Sequence, residues 1–260
     1  MGHDTSISIL GSGWLGLPLA EHLLGVVKTI HLSTRSLEKS KQLATLGFKA
    51  HLVDIEEMST QVQTFLNSEI LIINITNKSI EAFQNLRSEI ERSTIKHVLF
   101  ISSTSVYGSD QSLCKETDSI HVENNLRKIE KLFTDNTHFD CTIIRLAGLI
   151  GPKRHPGRFF AGGKVIKDGN AKVNLIHQVD CIRLIATVLE QNAWGEVFNG
   201  CADTHPVKKE YYSKMALSLG YPEPDYVIAD KGSNKVICNE KIKNTLGFQF
   251  IYPDISEILC

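Results

Sequence analysis

Along the first 150 residues, short apolar runs alternate with stretches whose apolar positions recur every three to four residues. A β-then-α alternation of this kind predicts a parallel sheet with helices on both faces. The predicted strands are Ser6–Leu10, Thr29–Leu32, Phe48–Val53, Ile70–Ile75, His97–Ser102 and Cys141–Leu146. Ile70–Ile75 is an apolar run, which marks a strand buried on both faces. The predicted helices are Trp14–Leu24, Ser36–Leu46, Thr60–Leu66, Ile80–Ile90 and Glu123–Phe133. Ser36 is a natural N-cap, because its hydroxyl can accept from an orphan N–H of the first turn. Gly47 is a natural stop, because it tolerates left-handed backbone.

After Gly148 the texture changes. Gly151–Lys167 holds Pro152, Pro156, four glycines and six cationic or histidine positions, with no acid. That composition predicts a long mobile loop. Beyond it the pattern predicts strands at Val173–Ile176, Glu196–Asn199 and Lys235–Cys238, and helices at Asp180–Gln191, Lys208–Leu219 and Glu240–Leu246. The expected division is a domain over 1–150 and a small mixed α/β lobe over 151–260, with the chain returning to the sheet.

Composition narrows the class. The chain has 260 residues, 42% apolar and 22% charged, enough for a core without disulfide staples. A formal net charge of −1 gives no basis for a sequence-independent grip on nucleic acid or an anionic membrane. No apolar run approaches the ~20 residues of a membrane span, and the N-terminus lacks the features of a signal peptide. The expected location is the cytoplasm. Six cysteines lie far apart with no C-x-x-C pair, so reduced thiols are expected and no metal site is. Cys260 is expected to be exposed.

The chemistry begins at Gly11-Ser12-Gly13-Trp14-Leu15-Gly16, between the first strand and the first helix. In that context G-x-G-x-x-G is a dinucleotide fingerprint. Gly11 permits the tight turn, Gly13 lets backbone approach a pyrophosphate, and Gly16 lets helix pack on strand. The helix start then offers N–H groups and a positive dipole to the anion. The fold class expected is therefore a Rossmann-type doubly wound parallel sheet with a small mixed C-terminal lobe. At the end of the second strand, where an NAD site usually has an acid, stand Thr34 and Arg35. A guanidinium suits a ribose 2′-phosphate, so NADP is the expected cofactor, with NAD as the alternative. Asp54 is a candidate acceptor for the adenine amine, or a turn residue. Asn74, closing the fourth strand, is a further candidate cofactor contact.

The segment Phe100-Ile101-Ser102-Ser103-Thr104-Ser105-Val106-Tyr107-Gly108 resembles the extended short-chain dehydrogenase/reductases, the nucleotide-sugar epimerase and dehydratase family. The resemblance continues through Arg145–Pro152 and Asn174–Asp180. It is strongest to an atypical branch with R-H-P-G-R-F (Arg154–Phe159), N-x-I-H-x-x-D, and H-P-x-x-x-x-Y-Y (His205–Tyr212). It implies that Ser103 contacts a substrate carbonyl. It also implies that Thr104, Arg154, His155, Arg158, Asn174 and His177 lie on the substrate side.

One departure matters. The family's proton donor is the Tyr of a Tyr-x-x-x-Lys pair. One register puts Val122 and Leu126 at those positions, and a shifted register puts Asn124 and Lys128. No tyrosine occurs between Tyr107 and Tyr211. General acid–base help of this kind is worth roughly 10²–10⁴-fold. The catalytic candidates left are Ser103 and His155, with His177 and Tyr107 as weaker donors, since imidazole titrates near neutrality. Lys153, Arg154, His155, Arg158 and Lys164 form a basic cluster suited to an anionic small molecule, or a solvated loop. The favoured reading is an oxidoreductase with a non-standard donor. A cofactor-binding sensor or scaffold without turnover is the alternative, and a conventional nucleotide-sugar epimerase ranks last. The sequence does not set the oligomeric state.

Overall fold

The computed structural model describes residues 4–58, 61–108, 111–120, 123–160, 165–227 and 234–258. The first half of the chain alternates as its apolar pattern dictates: β1 (Ser6–Leu10), α1 (Gly16–Leu23), β2 (Thr29–Thr34), α2 (Leu37–Thr45), β3 (Lys49–Leu52), α3 (Val62–Phe65), β4 (Ile70–Ile73), α4 (Ile80–Glu91) and β5 (His97–Ser103). Then come β6 (Leu113–Cys114), α5 (Asn125–Thr134), β7 (Asp140–Leu146), β8 (Gly148–Ile150), β9 (Ile166–Lys167), β10 (Leu175–His177), α6 (Gln178–Glu190) and β11 (Val197–Gly200). The chain closes with α7 (Lys208–Leu217), β12 (Tyr226–Val227), β13 (Val236–Ile237) and α8 (Glu240–Leu246).

Seven strands form one parallel sheet in the order β3-β2-β1-β4-β5-β7-β11. Ile7 of β1 pairs with Ile30 of β2 on one side and Ile70 of β4 on the other. The strand order therefore reverses beside β1. In open α/β sheets such a switch point leaves a crevice at the strands' carboxyl ends, where ligands bind. All four residues of β4 are buried, as its unbroken apolar run requires.

Local signals set the helix ends. Ser36 Oγ accepts from Lys39 N, and Gly47, just past the end of α2, has φ +92°. Ser79 caps α4 and Asn124 caps α5 in the same way.

The described residues fall into two compact units. The first comprises residues 1–102, 121–144 and 185–197; the second comprises 103–120, 145–184 and 198–260. The first is filled by Leu71, Ile73, Phe83, Phe100, Phe133 and their neighbours. Phe83 meets Phe100 edge-on at 5.7 Å between centroids, a geometry that aromatic quadrupoles favour. The second is filled by Ile150, Val173, Leu175, Tyr211, Met215 and Ile255 among others.

Two expectations change. The strand expected at Val173–Ile176 forms instead at Leu175–His177, paired with β8 outside the central sheet. Gly148 approaches that strand closely, since a Cβ there would lie 3.2 Å from the Asn174 carbonyl oxygen. The expected long mobile loop is, over its described part, ordered. Gly151 bridges Arg154, Pro156–Arg158 forms a 3₁₀ turn, and Ile166–Lys167 pairs with β12. Gly157 sits against α7, where a Cβ would lie 2.1 Å from the carbonyl oxygen of Met215. Lys164 and Cys260 lie outside the described residues, as does Thr60, the expected start of α3. Among the described residues, no helix is long and apolar enough to cross a membrane.

Candidate functional site

The first unit holds every residue expected at the cofactor. Gly11 has φ +103°, and its N–H donates to Ser33 Oγ at 2.8 Å. Ser12 N donates to the Ser33 carbonyl at 3.1 Å. The turn is thus bolted to the end of β2. A Cβ on Gly11 would lie 2.4 Å from the Asn74 carbonyl oxygen, and one on Gly16 would lie 1.9 Å from the Gly11 carbonyl oxygen. Gly13 is different, because a Cβ there meets nothing within 4 Å. Two glycines are required by protein packing, and the third lines open space. Trp14 is half-buried and Leu15 buried; Leu15 precedes α1 and provides no side-chain cap.

Asn74 supports this turn. Its N–H donates to Leu10 O at 2.9 Å, and its Nδ2 lies 3.5 Å from Gly11 O. At the end of β2, Thr34 is buried and its hydroxyl accepts from Ser36 N. Arg35 is 78% exposed, with Nη1 3.8 Å from Asp54 Oδ2. Asp54 also accepts from Glu56 N through Oδ1, which is its turn role. Sequence reasoning missed Lys39, whose ammonium donates to the Ser12 carbonyl at 2.6 Å. The three-residue offset from the Ser36 cap was its one available signal.

The helix that normally bears the Tyr-x-x-x-Lys pair is α5. Val122 lies outside the described residues. Asn124 spends its carbonyl oxygen capping the helix, Leu126 packs on the core, and Lys128 pairs with Glu123. Glu130 is fully buried; it accepts from Ser102 Oγ at 2.6 Å and from Arg127 Nη1 at 3.2 Å. A charged residue on a helix looks solvated in sequence, so this buried carboxylate had no local signal.

In the second unit, Ser103 Oγ accepts from Ser105 N at 3.1 Å and so caps the 3₁₀ turn Thr104–Val106. Lys235 Nζ donates to the carbonyls of Thr104 and Tyr107, both at 3.2 Å. Burial holds its ammonium below the usual lysine range. Asn174 fixes that segment: Nδ2 donates to Lys235 O, and Oδ1 accepts from Ile237 N. Thr104 and Asn174 are thereby joined through Lys235. Tyr107 donates to Asn199 Oδ1 at 2.8 Å and accepts from buried Arg145 at 2.9 Å. Burial raises its phenol above the ordinary value, opposed by the Arg145 charge.

His155 is buried, and its Nδ1 accepts from Gly157 N at 3.0 Å. Burial first, then the Arg158 charge, holds the imidazole below its ordinary range. Arg154 and Arg158 flank it and are exposed. His177 is also buried; its Nδ1 accepts from Val179 N, and its ring lies 4.0 Å from that of Tyr252. Burial lowers its pKa, opposed by Asp180. It lines an open groove of about 460 Å³ with Tyr252, Asp254 and Glu257.

No family model matches the chain. Protein YeeZ of Escherichia coli strain K12 is 33% identical over 265 residues, covering 95% of this chain and 96% of YeeZ. The chain belongs to the family of protein YeeZ. Solved structures show which fold this YeeZ-family chain has. A short-chain dehydrogenase/reductase superfamily protein from Agrobacterium tumefaciens, with bound NAD, superposes with TM-score 0.77 at 15% identity, covering 94% of this chain and 92% of the other. UDP-glucuronic acid 4-epimerase from Bacillus cereus, in complex with UDP-glucuronic acid and NAD, superposes with TM-score 0.76 at 17% identity, covering 94% and 93%. The fold of the YeeZ-family chain is that of the short-chain dehydrogenase/reductases and NAD-dependent epimerases, as the motif resemblance implied.

Proposed function

We propose that the chain binds a nicotinamide dinucleotide at the Gly11–Gly16 turn, through residues 1–150, and an anionic small molecule through residues 151–260. The observation that carries this reading is the contrast among the three glycines. Gly11 and Gly16 are packed by protein, whereas Gly13 is exposed and a Cβ there would meet nothing within 4 Å. A pyrophosphate lying on that backbone is the ligand such a turn suits. Gly13, Trp14 and Leu15 would cradle it, Ser12 and Asn74 would hold the turn in shape, and Thr34, Arg35 and Asp54 would face the adenosine. The bound cofactor would donate or accept a hydride. Arg35 is the reason to expect NADP in preference to NAD. Titration calorimetry with NADPH and NADH tests the reading directly.

The reaction favoured is a slow oxidoreduction. Ser103 would orient a carbonyl, and Thr104 and Asn174 would hold the surrounding turns. His155 would supply the proton from Nε2, because Nδ1 already accepts from Gly157 N. A neutral imidazole is a weaker acid than imidazolium, and burial, then the Arg158 charge, shift His155 toward the neutral form. Arg154 and Arg158 would attract the anionic group, with His177 supporting their loop. A second reading, a cofactor-binding sensor without turnover, is favoured by a specific observation. The described side chains at the Tyr-x-x-x-Lys positions, Asn124, Leu126 and Lys128, cap, pack or pair. A screen of carbonyl compounds and nucleotide sugars by NADPH absorbance separates the two. An enzyme gives a hit that Ser103→Ala and His155→Ala both reduce; a sensor gives none while cofactor affinity persists.

A further inference from the structure

Ser103 ends β5 with a hydroxyl that is only partly used. Its Oγ accepts from Ser105 N at 3.1 Å, and among the described residues its own O–H meets no acceptor. A serine hydroxyl has one proton and two lone pairs, so the proton remains for another partner. The Ser105 N–H belongs to the same peptide group as the Thr104 carbonyl. That carbonyl oxygen accepts from Tyr107 N at 3.3 Å, within the 3₁₀ turn, and from Lys235 Nζ at 3.2 Å. One planar amide thus joins an ammonium at its oxygen to the serine hydroxyl at its nitrogen. Hydrogen bonds in such a chain polarise one another: a cation at the C=O draws electrons from the amide and strengthens its N–H as a donor. The ammonium is itself held in place. Nζ also donates to the Tyr107 carbonyl at 3.2 Å. Asn174 fixes the Lys235 backbone, through Nδ2 to Lys235 O at 2.8 Å and Oδ1 from Ile237 N at 2.9 Å. Lys235 is half-buried, so its charge is screened less than an exposed one.

We propose that Lys235 is a positioning residue for Ser103: through the Thr104–Ser105 peptide group it keeps Ser103 Oγ an acceptor on one side, and so directs its O–H to the substrate carbonyl. The inference rests on the reading above in which Ser103 orients a carbonyl. An Oγ that accepts a strengthened N–H bond must carry its proton in another direction. Lys235 touches no reacting atom; it sets the direction of the hydroxyl that does. Its place in the chain, 131 positions beyond Thr104, is on the segment before β13 and not on α5.

The competing role is that of a strut, which ties the segment before β13 to the turn without acting on Ser103. A double-mutant cycle separates the two, because independent residues give additive losses and residues that act through one another do not. The experiment measures kcat and KM for NADPH-dependent reduction of the carbonyl compound that the screen returns. It uses the full chain as wild type, Ser103→Ala, Lys235→Met, the double variant and Lys235→Arg, with thermal melts to show that each is folded. Lys235→Gln replaces Lys235→Met in the cycle if the latter melts far below wild type. The proposal predicts that Lys235→Met lowers kcat about tenfold, the scale of a hydrogen bond to a charged group, with KM changed less than about twofold. Lys235→Arg, which keeps a charged donor, recovers most of that loss, and the double variant is no slower than Ser103→Ala. Additive losses in the double variant would overturn the proposal in favour of the strut. An active wild type left unchanged by Lys235→Met, or a Lys235→Arg as slow as Lys235→Met, would overturn it too, and in all three cases the oxidoreductase reading stands. A wild type that turns over no carbonyl compound would overturn that reading and this inference together.

Discussion

A Cβ on Gly16 would lie 1.9 Å from the carbonyl oxygen of Gly11. The obstacle is backbone, which cannot rotate aside as a side chain would. Gly16→Ala is expected to lower stability by about 2 kcal/mol or more, the scale of overpacking in a tight site. Urea denaturation reads this as a lower midpoint, and an unchanged midpoint would show that the turn has slack.

The exposed guanidinium of Arg35 is expected to favour NADPH. Arg35→Glu should weaken NADPH binding by about 1.5–3 kcal/mol, the usual worth of a hydrogen bond to a charged group. NADH binding should be spared. Equal affinity of the wild type for the two cofactors would remove the preference for NADP and leave the turn's role intact.

Ser102 and Glu130 make a stability prediction within the first unit. The carboxylate is fully buried and accepts from the Ser102 hydroxyl and the Arg127 guanidinium. Ser102→Ala leaves a fully buried carboxyl oxygen without its hydroxyl partner and should cost about 1–3 kcal/mol. No change in the urea midpoint of Ser102→Ala would show that the Ser102–Glu130 hydrogen bond adds nothing to stability.

His31 and His51 share one hydrogen bond, Nδ1 to Nε2, at 3.0 Å, with their rings stacked. Burial, then the charges of His51 and Lys49, push His31 down to about 4; burial and Lys49 lower His51 as well. An unfolded histidine takes its proton near pH 6.5. Between about pH 6.5 and 4 the unfolded chain therefore binds more protons, and stability falls as pH falls. The share from His31 is at most about 3 kcal/mol. His31→Leu should flatten the slope of urea midpoints between pH 7 and pH 5. A slope equal to wild type would place the acid sensitivity elsewhere.

Local signals were legible in the sequence. Ser36 and Gly47 bound α2 because capping and left-handed backbone are decided within a few residues. The glycine turn was legible because its spacing follows from steric need. Contacts made over long sequence separation were not. Tyr107 meets Asn199 across 92 positions and Lys235 reaches Thr104 across 131, with no local periodicity to announce either. The basic segment after Gly151 looked mobile because glycine, proline and charge dominate it. Its turn at Pro156–Arg158 is instead set by tertiary packing, with Gly157 seated on the backbone of α7.

The most direct test of the account is dinucleotide affinity in Gly13→Val. Apart from the adjoining residues, no described atom lies within 4 Å of a Cβ at this exposed position, so the variant should fold with a melting temperature close to wild type. Its side chain fills the space that a pyrophosphate needs. Titration calorimetry should show wild type binding a nicotinamide dinucleotide and Gly13→Val binding neither NADPH nor NADH. A folded Gly13→Val with wild-type affinity would contradict the assignment of the site.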